Sequence, residues 1–281
     1  MEGSLKQGYQ ACRRVTAQAS STFYLASLLF EGATRRDIQA LYAFCRVADD
    51  IADSTTLSSG EKRSKISAMR KAIIQRKVPD VEPAIWVAVW HVSDEYALPQ
   101  AELLEVLDGV ESDISFSQPK TLRDLDTYSY YVAGVVGILS ARILGVTSKR
   151  GFEAAKNLGI AMQYTNIIRD VASDTSLKRT YIPLSLVKKY KLNSRDATQS
   201  DQLHLAIAEL SNRAQNFYDL AAPGIADIPA RHRKPVQVAF ELYHGILERV
   251  KQKQYNVSIG RIRLNRLSKF QVVWRVYTGQ S

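Results

Sequence analysis

The chain has 281 residues, 46% of them hydrophobic and 23% charged, which is ample for a packed core and excludes a disordered protein. Its formal net charge is +10, but the basic residues are spread along the chain and match no nucleic-acid recognition motif, so no nucleic-acid partner is expected. Attraction to an anionic membrane surface, a pocket for strongly anionic substrates and a plain solvated basic surface remain open as reasons for the charge.

The first 15 residues, MEGSLKQGYQACRRV, lack an apolar h-region, and no stretch approaches the roughly 20 apolar residues that a spanning helix needs. The two cysteines, Cys12 and Cys45, form no CxxC or His/Cys cluster, which excludes a disulfide scaffold and fits a reducing cytoplasm.

In chain order, Ile38, Leu41, Cys45, Ala48 and Ile51 recur at helical spacing. Ser59 and Glu61 open a basic helical run that ends near Val78-Pro79-Asp80. From Pro99 to Ile114, an apolar stripe of Leu103, Leu104, Val106, Leu107 and Val110 predicts another helix. Long helices are predicted over Arg150–Val171 and Asp201–Leu220. Loops fall at Ser54–Ser59, Arg76–Asp80, Gln118–Lys120, Ser173–Pro183 and Gly224–Pro235. With no hairpin signals, the expectation is an all-α, single-domain bundle over residues 1–281.

Two aspartate clusters carry the chemistry. The first is Asp49-Asp50-Ile51-Ala52-Asp53, preceded by Arg46; the second is Asp170-Val171-Ala172-Ser173-Asp174, preceded by Gln163 and Asn166. In each the outer aspartates are four residues apart, so their carboxylates share one helical face and repel. A divalent cation is the natural compensation. Magnesium prefers oxygen ligands and is usually held by a few carboxylates plus substrate phosphates. Gln163, Asn166, Asp170 and Asp174 form a polar row within an otherwise apolar segment, which core packing does not explain. One DxxxD alone is more often a solvated face; two with flanking Arg, Gln and Asn point to function. Ala133, Gly134 and Gly137, within Tyr128–Gly137, suit either the close approach of a hydrocarbon ligand or tight helix packing.

These stretches, with Ser20-Ser21-Thr22-Phe23-Tyr24, Ala40–Asp53, Gln163–Asp170, Arg179, Tyr181, Pro183, Tyr243–Leu247 and Tyr255-Asn256, resemble the squalene/phytoene synthase family across nearly the whole chain. The resemblance implies an isoprenoid-synthase helical bundle with a central cavity, most similar to bacterial-type phytoene synthases. It implies that Asp49, Asp53, Asn166, Asp170 and Asp174 hold roughly two or three Mg²⁺ ions, with Mn²⁺ as a substitute. Ser20, Arg46, Gln163, Tyr243 and Arg261 would contact diphosphate oxygens, and Arg179 and Tyr181 would join the substrate-binding set. Phe23, Tyr42, Tyr128, Val132 and Val136 would line prenyl channels. The implied reaction is ionisation of one prenyl diphosphate, attack by the double bond of a second to give a cyclopropylcarbinyl diphosphate, then a second ionisation, rearrangement and proton loss.

Two departures stand out. Ser21 occupies a position where many relatives carry lysine, and the second aspartate motif is less acidic than is common. The small Ser27, at a channel site where shorter-product relatives carry phenylalanine, favours geranylgeranyl diphosphate and a phytoene product. The alternative is farnesyl diphosphate, giving presqualene diphosphate, squalene or dehydrosqualene. NADPH is not expected, because the reductive eukaryotic-type relatives are longer and carry a C-terminal anchor. A non-catalytic partner protein that binds prenyl diphosphates is the competing class. The basic, aromatic run from Arg261 to Tyr277 can lie in a membrane interface, giving peripheral contact, or dock on the bundle as a terminal helix, which is the preferred reading.

Overall fold

The computed structural model describes residues 2–176, 179–192, 201–257 and 261–279, and among these all regular structure is helical. Helices run over Glu2–Ala19 (α1), Ser21–Ser27 (α2), Gly32–Asp53 (α3), Ser59–Gln75 (α4), Pro83–Glu95 (α5), Gln100–Ile114 (α6) and Leu122–Ser129 (α7). A π-helical turn over Tyr130–Gly134 leads into Val135–Ile143 (α8). Lys149–Ser176 (α9), Leu184–Lys189 (α10), Asp201–Ala221 (α11), Ala230–Gln252 (α12) and Arg266–Thr278 (α13) complete the chain.

Local chemistry accounts for many of the boundaries. Ser58 caps α4 through a reciprocal box with Glu61, and Thr121 does the same for α7 with Asp124. Pro83 starts α5 at its first turn, where a missing N–H costs nothing. The long helices expected around residues 38–51, 99–114, 150–171 and 201–220 are present, most of them longer than the apolar pattern alone implied. Two loop expectations are corrected. Helix α9 continues through Ser173 to Ser176, and α12 begins at Ala230 and carries Pro235 within it. Pro235 is buried against the core, and that packing outweighs the helix-breaking tendency of the residue. Leu177 and Lys178, inside the expected loop, lie outside the described residues.

Two apolar cores build the bundle. One gathers α1, α3, α4, α5, α6 and α8 around Phe44, Trp86, Met69 and Leu107; the other gathers α9, α11 and α12 around Tyr164, Tyr218 and Leu247. Tyr130 and Leu158 border both. Helix α8 packs against both α3 and α9, so the two aspartate-bearing helices belong to different halves joined by a common neighbour.

Glycine sets the closeness of that junction. A Cβ on Gly137 would stand 2.2 Å from the Ala155 carbonyl oxygen, and one on Gly159 would stand 2.2 Å from that of Ala133. The small residues of this segment therefore serve helix packing, the plainer of the two readings open in the sequence. Tyr130–Gly134 form a π turn between α7 and α8, a kind of bulge that often occurs at functional sites.

Candidate active site

Helix α3 buries Ile38, Leu41, Cys45, Ala48 and Ala52, which leaves Tyr42, Arg46, Asp49 and Asp53 as the next stripe at helical spacing. On α9 the row is Gln163, Asn166, Asp170 and Asp174. The α3 aspartates lie at the helix's C-terminal end with no basic residue in the last turn, and those of α9 lie near its C-terminal end under the same condition. Acids there oppose the helix macrodipole, at roughly 0.3–1 kcal/mol each. Compensation must come from elsewhere.

Arginines provide part of it. Asp170 is gripped by two: Arg169 Nε donates to Oδ1 at 2.9 Å, and Arg261 pairs with it at 2.8 Å and donates through Nη2 at 3.1 Å. Arg46 pairs with Asp50, which is exposed and has no closer role in the row. Arg179 pairs with Asp53 and donates to the Ala52 and Asp113 carbonyl oxygens at 3.3 Å each, tying the ends of α3 and α6 to the segment after α9.

The two rows feel each other. Burial raises the Asp49 carboxyl to about 8, and although Arg46 opposes this, Asp53 and Asp113 add to it. Asp174 rises to about 7, first through burial and then through Asp170, against Arg179, with Asp53 and Asp113 contributing from the other half. Carboxylates from α3, α6 and α9 therefore share one region of negative potential.

Asp113, which the sequence reading missed, completes it. Its carboxylate accepts from the Tyr128 hydroxyl at 2.8 Å and the Tyr181 hydroxyl at 2.9 Å, whose rings stack at 5.1 Å. Burial raises its pKa, while the two hydroxyls and Arg179 pull it down. The available signal was an acid in the last turn of α6 with no basic residue there, the same anomaly as on α3. Tyr128, expected as channel wall, directs its hydroxyl to this carboxylate; Tyr181 joins it there.

Ser20, Tyr42 and Tyr243 lie together near Asp49 and Asp170. Burial is the main reason both phenols are raised, and the nearby Ser20 hydroxyl lowers both. Phe23 stacks on Tyr42 at 4.3 Å, giving the site an aromatic wall. Val136 and Phe23 border the first core, and Val132 lies against Gly109. Ser27 is 1% exposed, and its hydroxyl donates to the Tyr24 carbonyl and accepts from the Gln39 amide at 2.9 Å. Gln39 thus occupies part of the space expected beside that small residue. Lys269, also missed, donates from α13 to the Ser21 hydroxyl at 3.0 Å, bringing an ammonium to the position where the sequence departs from its relatives.

The donor set suits divalent cations carried in by a diphosphate. The Asn166 side-chain oxygen is a buried acceptor with no partner, and the Arg46 Nε–H is a buried donor with none. One calls for a cation, the other for an anion. Among the described residues, no three acidic, His or Cys side chains converge closely enough to enclose one metal ion. The acids instead form two separate rows, one on α3 and one on α9.

Residues 16–271 match the family described as Squalene/phytoene synthase. A 15-cis-phytoene synthase of Synechocystis sp. is 31% identical over 277 residues, covering 90% of this chain and 80% of that protein. A 15-cis-phytoene synthase of Paracoccus sp. is 31% identical over 84% of this chain and 79% of its own. The crystal structure of a dehydrosqualene synthase in complex with ligand superposes with a TM-score of 0.87 at 26% identity, covering 98% of this chain and 97% of the other. No helix among the described residues is long and apolar enough to cross a membrane. The chain belongs to the squalene/phytoene synthase family, as a prenyl-transferring enzyme of isoprenoid biosynthesis.

Proposed function

We propose that the enzyme condenses two molecules of geranylgeranyl diphosphate head to head, through a cyclopropylcarbinyl diphosphate, to phytoene, with Mg²⁺ bound between its two aspartate rows. The observation that carries this reading is the meeting of acids from α3, α6 and α9 beside an unpartnered buried Asn166 oxygen and an unpartnered buried Arg46 Nε–H.

Asp49, Asp53, Asn166, Asp170 and Asp174 would hold the ions. When bound, Mg²⁺ supplies positive charge to the departing diphosphate oxygens. Arg46, Arg169, Arg179 and Arg261 add fixed cationic donors on the same side, so negative charge that develops on the leaving group meets groups already in place. Arg261 and Arg179 each exchange a carboxylate partner for diphosphate when substrate arrives. Ser20, Gln163, Tyr243 and Lys269 orient the remaining oxygens.

Behind the polar end, Phe23, Tyr42, Val132 and Val136 form apolar and aromatic walls that exclude water and offer no nucleophile to an allylic cation. Each aromatic face adds roughly 0.5–2 kcal/mol of cation–π stabilisation. The Tyr128–Asp113–Tyr181 cluster fixes two phenolic oxygens at the boundary between polar and apolar parts, positioned to orient the second ionisation and the final proton loss.

The phytoene assignment draws support from the relatives at 31% identity. A farnesyl-based reading has two observations in its favour: Gln39 against Ser27 narrows the space counted on for the longer chain, and the chain superposes on a dehydrosqualene synthase. Incubation of purified protein with Mg²⁺ and each prenyl diphosphate, followed by hydrocarbon extraction, separates them. Phytoene from geranylgeranyl diphosphate is the expected product, without NADPH. A hydrocarbon formed from farnesyl diphosphate alone would overturn the chain-length assignment, and no product from either would overturn the reaction. The site of action is the cytoplasm, in peripheral contact with a membrane where these lipids reside; the two cysteines, both free and buried, are consistent with it.

A further inference from the structure

Helix α13 has two unlike faces. Val272, Val273 and Val276 pack on Ala26 of α2 and on Val238 and Leu242 of α12, so the helix docks on the bundle as the sequence favoured. The opposite face carries Leu267, Phe270, Trp274 and Tyr277 at 64%, 65%, 49% and 40% exposure. Their spacing of three, four and three residues makes one continuous stripe. Nine large hydrophobic residues stand out as exposed among those described; four lie on this helix, and the other five are scattered. Scattered exposure is ordinary, whereas a continuous aromatic stripe marks a contact surface.

Charge identifies what it contacts. Between residues 261 and 279 there are five cations, Arg261, Arg263, Arg266, Lys269 and Arg275, and no acid. Arg266 flanks the stripe in helical register, Arg275 on the other side is paired with Glu241 of α12, and Lys234 extends its ammonium over the Tyr277 ring at 5.3 Å. A second copy of this chain would bring like charges together around the stripe. A surface of anionic lipid headgroups satisfies both features, because Trp and Tyr sit at the headgroup level while Leu and Phe enter the acyl region.

We propose that the Leu267/Phe270/Trp274/Tyr277 face of α13 seats the enzyme on a phospholipid bilayer bearing anionic headgroups. The inference rests on the reading above for its purpose, since both substrate and product would be lipids, and it names the surface that meets the membrane. The same segment reaches the site at two points, through Arg261 on Asp170 and Lys269 on Ser21, so the seated face borders the diphosphate end of the enzyme.

The test compares the full wild-type chain with Phe270→Glu/Trp274→Glu, by flotation on phosphatidylcholine vesicles with and without phosphatidylglycerol. Wild type is expected to partition to the anionic vesicles at least about tenfold more strongly than to the neutral ones, and the double variant to lose about tenfold of that binding. Brominated acyl chains should quench wild-type tryptophan fluorescence, and Trp274→Phe should abolish the quench, since Trp86 is 2% exposed and Trp90, the third tryptophan, packs from α5 against the first core, away from α13. Equal flotation of the double variant, no preference for anionic vesicles, quenching that survives Trp274→Phe, or a wild-type dimer that the double variant dissolves would each overturn the proposal. Turnover of detergent-dispersed prenyl diphosphate is expected to be unchanged in the double variant. If wild type makes no product in detergent yet floats as described, the reaction assignment fails and the membrane face stands.

Discussion

Arg261 and Asp170, ninety-one residues apart in the chain, meet as an ion pair at 2.8 Å with a hydrogen bond from the guanidinium at 3.1 Å. The contact draws the extended segment before α13 onto the end of α9. It also places a guanidinium on a carboxylate that, on the reading above, binds metal during turnover. Arg261 is about half exposed, so the pair contributes little to stability. Arg261→Ala should leave the melting temperature nearly unchanged and weaken binding of inorganic pyrophosphate with Mg²⁺ by about tenfold, the worth of one charged contact. Calorimetric titration checks the binding. An unaltered affinity would remove Arg261 from the diphosphate site.

Asp49 links pH to stability. Its raised pKa means that the folded chain holds this proton more tightly than the unfolded one. The associated stability is fully present below the ordinary carboxylate pKa, roughly 4, and falls as pH rises through about 8. Asp174 acts in the same direction up to about 7. Metal-free protein should therefore melt at lower temperature at pH 8 than at pH 6. Asp49→Asn should flatten that slope and raise the pH 8 melting temperature while abolishing turnover. Added Mg²⁺ should stabilise wild type at pH 8 and have a smaller effect on the variant. A melting temperature independent of pH in both proteins would show that the carboxyls are not coupled as described.

The Asp113 carboxylate takes its hydrogen bonds from two tyrosine hydroxyls, while Arg179 donates to the backbone carbonyl of the same residue. Asp113→Asn removes the charge shared with both phenols and should lower kcat by about a hundredfold, within the range for a positioned polar group at a reacting centre. The helical circular-dichroism spectrum should not change. Tyr181→Phe, which keeps the ring stack and the Tyr128 bond, should retain more activity than Asp113→Asn. If the two variants are equally impaired, the Tyr181 hydroxyl matters as much as the carboxylate.

Gly137→Ala tests the α8–α9 junction. The new methyl would stand 2.2 Å from a backbone oxygen that cannot swing away, so the cost should be roughly 1–3 kcal/mol. Thermal melts of this variant and of Gly60→Ala make the comparison. Gly60 has no close neighbour and lies in α4, where alanine should be neutral or mildly stabilising.

Ser27→Phe addresses chain length. The larger side chain must displace Gln39 and would project from α2 beside Phe23. It should reduce kcat/KM for geranylgeranyl diphosphate by about tenfold or more relative to farnesyl diphosphate, the scale of pocket discrimination. An unchanged ratio would place the limit on chain length elsewhere.

The sequence by itself determined the class of fold, the long helices and the two aspartate rows, because each depends on residues within a turn or two of one another. Apolar spacing around Leu41 and Leu103, and carboxylates four residues apart at Asp49 and Asp170, are one-dimensional signals. Their likeness to a known family extended that reading to residues far apart in the chain. The tertiary structure decided what lies opposite each row. Asp113 joined the acids because α6 ends beside α3 and Arg179, a relation that no helical period encodes. Tyr128 became a hydrogen-bond donor to Asp113, and Gln39 came to lie against Ser27, because separate helices pack at those points. The C-terminal run proved both docked and exposed, since a helix buries one side and period alone does not say what meets the other. Pro235 entered a helix because its burial against the core outweighed its local preference.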